Sequence, residues 1–175
     1  MESSNFIANL KEGRRMEEAV KSRLTSLLPG YEVMVTDQDR SSLERYIYSL
    51  VDVIVLKDGS PVLGVECKMG ETKYESCKNR NGWDGDFNTP LNNTSLKEYK
   101  EADFPVYVVN INTFCHRAFA ADIPTILASP NDAGKNQKGS GVIIYNVDSS
   151  SWLSWYGNFT LSDILTDIVR REGLC

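Results

Sequence analysis

The chain has 175 residues, 41% hydrophobic and 25% charged, which is the usage of one globular domain with a real core. Its net charge of −5 speaks against a protein that coats nucleic acid unselectively, although metal-binding carboxylates inflate an acidic count and a phosphate contact needs only a local basic patch. No apolar run approaches the ~20 residues of a membrane span, and the start M-E-S-S-N-F is unlike a secretory signal. Cys67, Cys77, Cys115 and Cys175 form no C-x-x-C pair, which reads as a reduced, cytoplasmic protein. A zinc site from Cys77, Cys115 and His116 fits no standard ligand spacing.

Residues 12–28 predict a helix: Met16, Ala19, Val20, Leu24 and Leu27 form one apolar stripe that Phe6 and Leu10 extend upstream, and Pro29-Gly30 stops it. Residues 31–36 alternate as a half-buried strand, and 37–45 read as a charged loop carrying Arg40 and Arg45. Residues 48–69 read as two apolar strands joined by K-D-G-S-P. A long polar region follows, with a short helix at 73–78, a loop over 79–94 carrying Trp83 and Phe87, and a helix at 96–102 capped by Ser95. Residues 106–111 are a buried strand, 114–121 a short helix with His116 and Arg117, and 123–128 an apolar segment. The stretch 129–141 is an excursion with Lys135 and Lys138, and 142–147 a strand. A bend then leads into the aromatic residues Trp152, Trp155, Tyr156 and Phe159. Thr160 caps a last amphipathic helix built on Leu161, Ile164, Leu165, Ile168 and Val169. This order predicts an α/β (α+β) domain over 1–175, with one central mixed sheet flanked by helices.

The hairpin carries polar groups where a core strand carries none. Asp52 interrupts V-D-V-I-V-L, and Glu66 and Lys68 end V-L-G-V-E-C-K. Val62, Gly64, Glu66 and Lys68 share one face of the strand, and Leu63, Val65 and Cys67 the other. A three-residue loop centred on Gly59 sets Asp52 opposite Glu66, with Cβ atoms about 4.5–5.5 Å apart; a two-residue loop sets it opposite Val65. Two carboxylates that close repel unless they share a cation, and an all-oxygen pair suits Mg²⁺ or Mn²⁺.

Asp52, thirteen intervening residues, then Glu66-x-Lys68 on a hairpin resembles the PD-(D/E)xK phosphodiesterases, with Val51 in place of the motif's proline. The family includes restriction endonucleases and Holliday-junction resolvases. The resemblance implies a restriction-endonuclease-like αβββαβ core over about 12–111 and a variable, substrate-facing part over 112–175. It also implies metal-dependent hydrolysis of nucleic acid, most simply DNA. Asp52, Glu66 and the Cys67 backbone carbonyl would be metal ligands, and Lys68 would act on the attacking water or the developing charge. G-R-R-M-E resembles the Gly-x-x-x-Glu of Holliday-junction resolvases, whose first-helix glutamate completes the metal site. Helical phase selects Glu17 for that role, on the flank of the apolar stripe, and turns Glu18 to solvent. The rival expectation is a nucleic-acid- or protein-binding module that keeps the fold without cleavage. Cutting both strands of DNA implies a homodimer, through the aromatic residues 152–159 and the last helix.

Overall fold

A computed structural model of the chain describes residues 2–38, 50–70, 87–112, 117–131, 141–147, 153–155 and 161–175. Helix α1 (Glu2–Leu27) leads into β1 (Glu32–Val35), β2 (Val53–Lys57) and β3 (Ser60–Gly70). Then come β4 (Phe87–Asn92), α2 (Asn93–Glu101), β5 (Val106–Asn112), β6 (Arg117–Asp122) and α3 (Ile123–Leu127). The chain closes with β7 (Val142–Val147), β8 (Leu153–Trp155) and α4 (Leu161–Arg171). None of the described helices is long and apolar enough to cross a membrane.

Six strands form the main sheet in the order β1-β2-β3-β5-β6-β8. Among the described strands only β3 and β5 run parallel, and β4 and α2 lie on the connection between them. The sheet is therefore mixed and flanked by helices, and the αβββαβ order is present in α1, β1–β3, α2 and β5. One face carries α1 and α4, with Val20, Leu24, Val53, Val65, Val109, Ile164 and Ile168 at full burial. Arg23 on α1 ties the two helices together by donating from Nε to the Ser162 Oγ at 2.7 Å. The opposite face packs Ile54, Val108 and Phe119 against Leu96 and Tyr99 of α2, Ile126 of α3 and the β4–β7 pair. Gly64 stands where that face is tightest. A Cβ there would lie 3.0 Å from both the Phe104 ring and a Val51 methyl.

Several elements depart from the sequence reading. Residues 87–92, expected as loop, form β4, because β7 pairs with them across some fifty residues of chain. Thr89 and Leu91 point inward, while Pro90 is exposed on a strand whose sheet has only two members. This second sheet also removes β7 from the single central sheet that was expected. The cap of α2 is Asn92 rather than Ser95, its side chain accepting from the Thr94 N–H at 2.9 Å. Residues 117–122 are a strand and not a helix. Ala118 and Ala120 meet α4's side while Phe119 and Ala121 meet the other, so the small residues fit a strand covered on both faces.

Residues 153–155 join the sheet edge as β8, and the apolar face of α4 is buried within the domain rather than offered to a second copy. On α1 the stripe is Met16, Val20, Leu24 and Leu28, with Leu27 half-buried and Ala19 exposed. Arg40, Arg45, Trp83, His116, Lys135, Lys138, Cys77 and Cys115 lie outside the described residues, as do Trp152, Tyr156, Phe159, Thr160 and the helix expected at 73–78.

Candidate active site

The turn of the β2–β3 hairpin has two residues, Asp58 and Gly59, both left-handed at φ 52° and 81°. That is the primed geometry whose twist matches the strands. Near the turn Leu56 faces Pro61, but one step further Val55 faces Leu63, so Val62 is an extra, bulged residue. The bulge puts Val62 on the α1 side with Leu63, not with Gly64 as strict alternation requires. It also resets the register. Val53 faces Val65, and Asp52, one residue before the strand, donates its N–H to Val65 and lies close enough to Glu66 for the two charges to repel. The loop is the shorter of the two alternatives, the one expected to set Asp52 against Val65, and the Asp52 N–H does bond to the Val65 carbonyl.

Because β2 begins where β3 ends, Asp52 and Glu66 meet at one end of the sheet. The Asp52 Oδ2 accepts from the Cys67 N–H at 2.7 Å, while the Asp52 N–H donates to the Val65 carbonyl at 3.2 Å. Thr36, at the end of β1, donates its N–H to the Asp52 carbonyl at 3.0 Å and its hydroxyl to the Val51 carbonyl. The aspartate is thus held by its backbone on one side and its carboxylate on the other. Burial, with repulsion from Glu66 next, pushes Asp52 up to about 7.

Glu66 is 9% exposed and takes the Lys68 ammonium as a salt-bridge partner. Tyr99 reaches the same carboxylate from α2: burial raises its phenol, and the charge of Glu66 and a hydrogen bond to it raise it further. For Lys68, burial favours the neutral amine, but attraction to Glu66, the hydrogen bond to it, and Asp52 outweigh burial and the net shift is upward. Burial, then Asp52 and Glu66, also push the Cys67 thiol well up, so it has no thiolate character to offer.

Glu17 arrives at this end by length alone. From Leu27 back to Glu17 the helix rises about 15 Å. Beside it, β1 and its continuation from Glu32 to Asp37 advance about 17 Å in the opposite chain direction. Taking Met16 as zero, the buried residues span about 0° to 120°, so Glu17, at about 100°, lies within the buried arc. It is half-buried and Glu18 is exposed. Burial raises Glu17 first, then Asp37, with Glu66 also contributing.

The donors here are oxygens: the Asp52 and Glu66 carboxylates and the Cys67 backbone carbonyl between Glu66 and Lys68, with Glu17 near enough for its charge to act on both acids. Among the described residues no three His, Cys, Asp or Glu side chains group as metal ligands by themselves. Two carboxylates with water and substrate oxygens completing the shell are what a hard divalent cation takes, and an aspartate pushed up to about 7 by burial and then by a neighbouring carboxylate is what such a cation relieves. The donor set fits Mg²⁺ or Mn²⁺.

Three further residues belong to this end of the sheet. Tyr99 was legible only as part of an apolar helical stripe, and Thr36 carried no signal beyond ending a strand. Asn110 did carry one: like Asp52, it is a polar residue interrupting an apolar run, V-Y-V-V-N-I.

No protein-family model matches the chain, and no curated protein matches it either. Among solved structures it is similar to the structure of D212, a nuclease from a fusselovirus, at 16% identity over 94% of this chain and 92% of that one, with a TM-score of 0.46.

Proposed function

We propose that the protein is a metal-dependent phosphodiesterase of the PD-(D/E)xK type that cleaves nucleic acid, with DNA as substrate and endonucleolytic cutting as its mode. The observation that carries this reading is the setting of Asp52 beside Glu66 at one end of the sheet, with the Lys68 ammonium on Glu66. Asp52, Glu66, the Cys67 carbonyl and Glu17 would hold a divalent cation, which supplies Lewis acidity toward the phosphate oxygens. Lys68 keeps its proton, so it serves by stabilising negative charge or orienting the attacking water and not as a base. Tyr99 and Lys68 together fix the Glu66 carboxylate, and the Cys67 N–H fixes that of Asp52.

The test is cleavage of supercoiled, linear, single-stranded and branched DNA with Mg²⁺, Mn²⁺ or EDTA. Cutting should require the cation, and Lys68→Ala should abolish it while melting like the wild type and binding Mn²⁺ undiminished. Hydrolysis persisting in EDTA, or an active Lys68→Ala, refutes the mechanism. Glu17 does not group with Asp52 and Glu66 as a ready-made three-acid site among the described residues, which favours the second reading, a module that binds nucleic acid without cutting it. Tight DNA binding with no cleavage under either cation would select that reading.

A further inference from the structure

Asn110 sits near the end of β5, directly beside Lys68 in the parallel β3–β5 ladder. Ladder partners in neighbouring strands are about 4.8 Å apart and point the same way. Val106 and Val108, at even positions of β5, pack on the same face as Ile54 and Phe119, so Asn110 shares the face of Glu66 and Lys68. The residue is 8% exposed. Among the described residues nothing donates to or accepts from its side-chain amide. Thr89 Oγ1 is the fully enclosed side-chain polar atom without a partner among the described residues, so the Asn110 amide keeps access to solvent at this end of the sheet.

The position separates phosphate from metal. Asp52 stands just before β2, on one side of Glu66, and Asn110 stands on β5, on the other. Asp52 and Glu66, which would hold a cation, lie toward β2, whereas Asn110 flanks the ammonium. An amide there adds donors without adding charge, and a phosphodiester oxygen held by Lys68 is within reach of the same donors. We infer that Asn110 is a substrate-contacting residue, its side-chain Nδ2 donating to a non-bridging oxygen of the phosphodiester beside Lys68. This rests on the proposed reading of the site as a phosphodiesterase.

The experiment compares wild type, Asn110→Val and Asn110→Asp in four measurements: melting, Mn²⁺ titration, binding of a DNA duplex in Ca²⁺, and cleavage kinetics in Mg²⁺. Asn110→Val should melt at or above the wild-type temperature and bind Mn²⁺ equally well. Its duplex affinity or kcat/KM should fall about tenfold, the worth of one hydrogen bond to a charged group. Asn110→Asp should lose more, because its carboxylate repels the phosphate. An Asn110→Val that binds and cuts like wild type overturns the inference, as does a loss that tracks a lower melting temperature or weaker Mn²⁺ binding. Should the wild type bind duplex without cutting it, hydrolysis fails as a reading and the binding arm alone decides Asn110. A wild type that neither binds nor cuts overturns both.

Discussion

The site's chemistry is set by which charges are left facing one another. Lys68 pairs with Glu66, and Asp52 is pushed up to about 7 by burial and then by the charge of Glu66, against the pull of the Cys67 N–H and of Lys68. Glu17 adds to that excess from the helix side. Replacing Glu17 with Gln should lower cleavage about 10–100-fold and raise the Mg²⁺ concentration needed for half-maximal rate, the range seen when groups supporting a metal site are removed. Glu18→Gln should leave both unchanged, because Glu18 faces solvent. Metal titrations of the two variants decide between them; the reverse ranking would remove Glu17 from the site.

At the scale of elements, two devices aim the side chains. The bulge at Val62 resets the pairing so that Val53 faces Val65, at the end of the sheet where Asp52 lies near Glu66. Helix α2, only nine residues long, brings Tyr99 to Glu66 and begins at a cap made by Asn92. Asn92→Ala leaves the Thr94 N–H without its acceptor and should destabilise the protein by about 1 kcal/mol, read as a lower urea midpoint. Because α2 also positions Tyr99, the same variant should lose activity at temperatures where wild type is still fully active. An unchanged midpoint would place the start of the helix elsewhere.

Over the whole molecule, the acids at this end make stability depend on pH in the metal-free state. The folded Asp52 value of about 7 lies above its ordinary 3.8, and Glu17 is raised in the same sense. Groups that hold protons more tightly when folded stabilise the fold fully below their unfolded values, and this contribution is lost as pH rises through the folded ones. Lys68, raised from 10.5, stays charged throughout that window and adds no slope to it. In EDTA the melting temperature should therefore fall between pH 5 and 8 more steeply for wild type than for Asp52→Asn. Mg²⁺ or Mn²⁺ should raise it, by more at pH 8 than at pH 5, since the cation needs the ionised carboxylates. Equal slopes in wild type and Asp52→Asn would detach the effect from this site.

What the sequence by itself determined was local. Period-3.6 stripes placed α1 and α4, apolar runs placed β1, β2, β3, β5 and β7, and a polar residue breaking an apolar strand marked Asp52, Glu66 and Lys68. The same signal stood at Asn110 and went unread because a single amide in a buried strand suggests no chemistry until its neighbour is known. Helical phase separated Glu17 from Glu18, since angle about an axis follows from spacing alone. Only the tertiary structure decided the rest. Strand β4 exists because the distant β7 satisfies its backbone groups, and the alanine-rich β6 because β5 and β8 pair with it on both sides, overriding polar and helix-favouring composition. The approach of Tyr99 to Glu66, of Thr36 to the Asp52 backbone and of Asn110 to Lys68 each joins segments well apart in the chain. No spacing rule reaches across such separations, because the order in which strands pair is settled by how both faces of the sheet are covered.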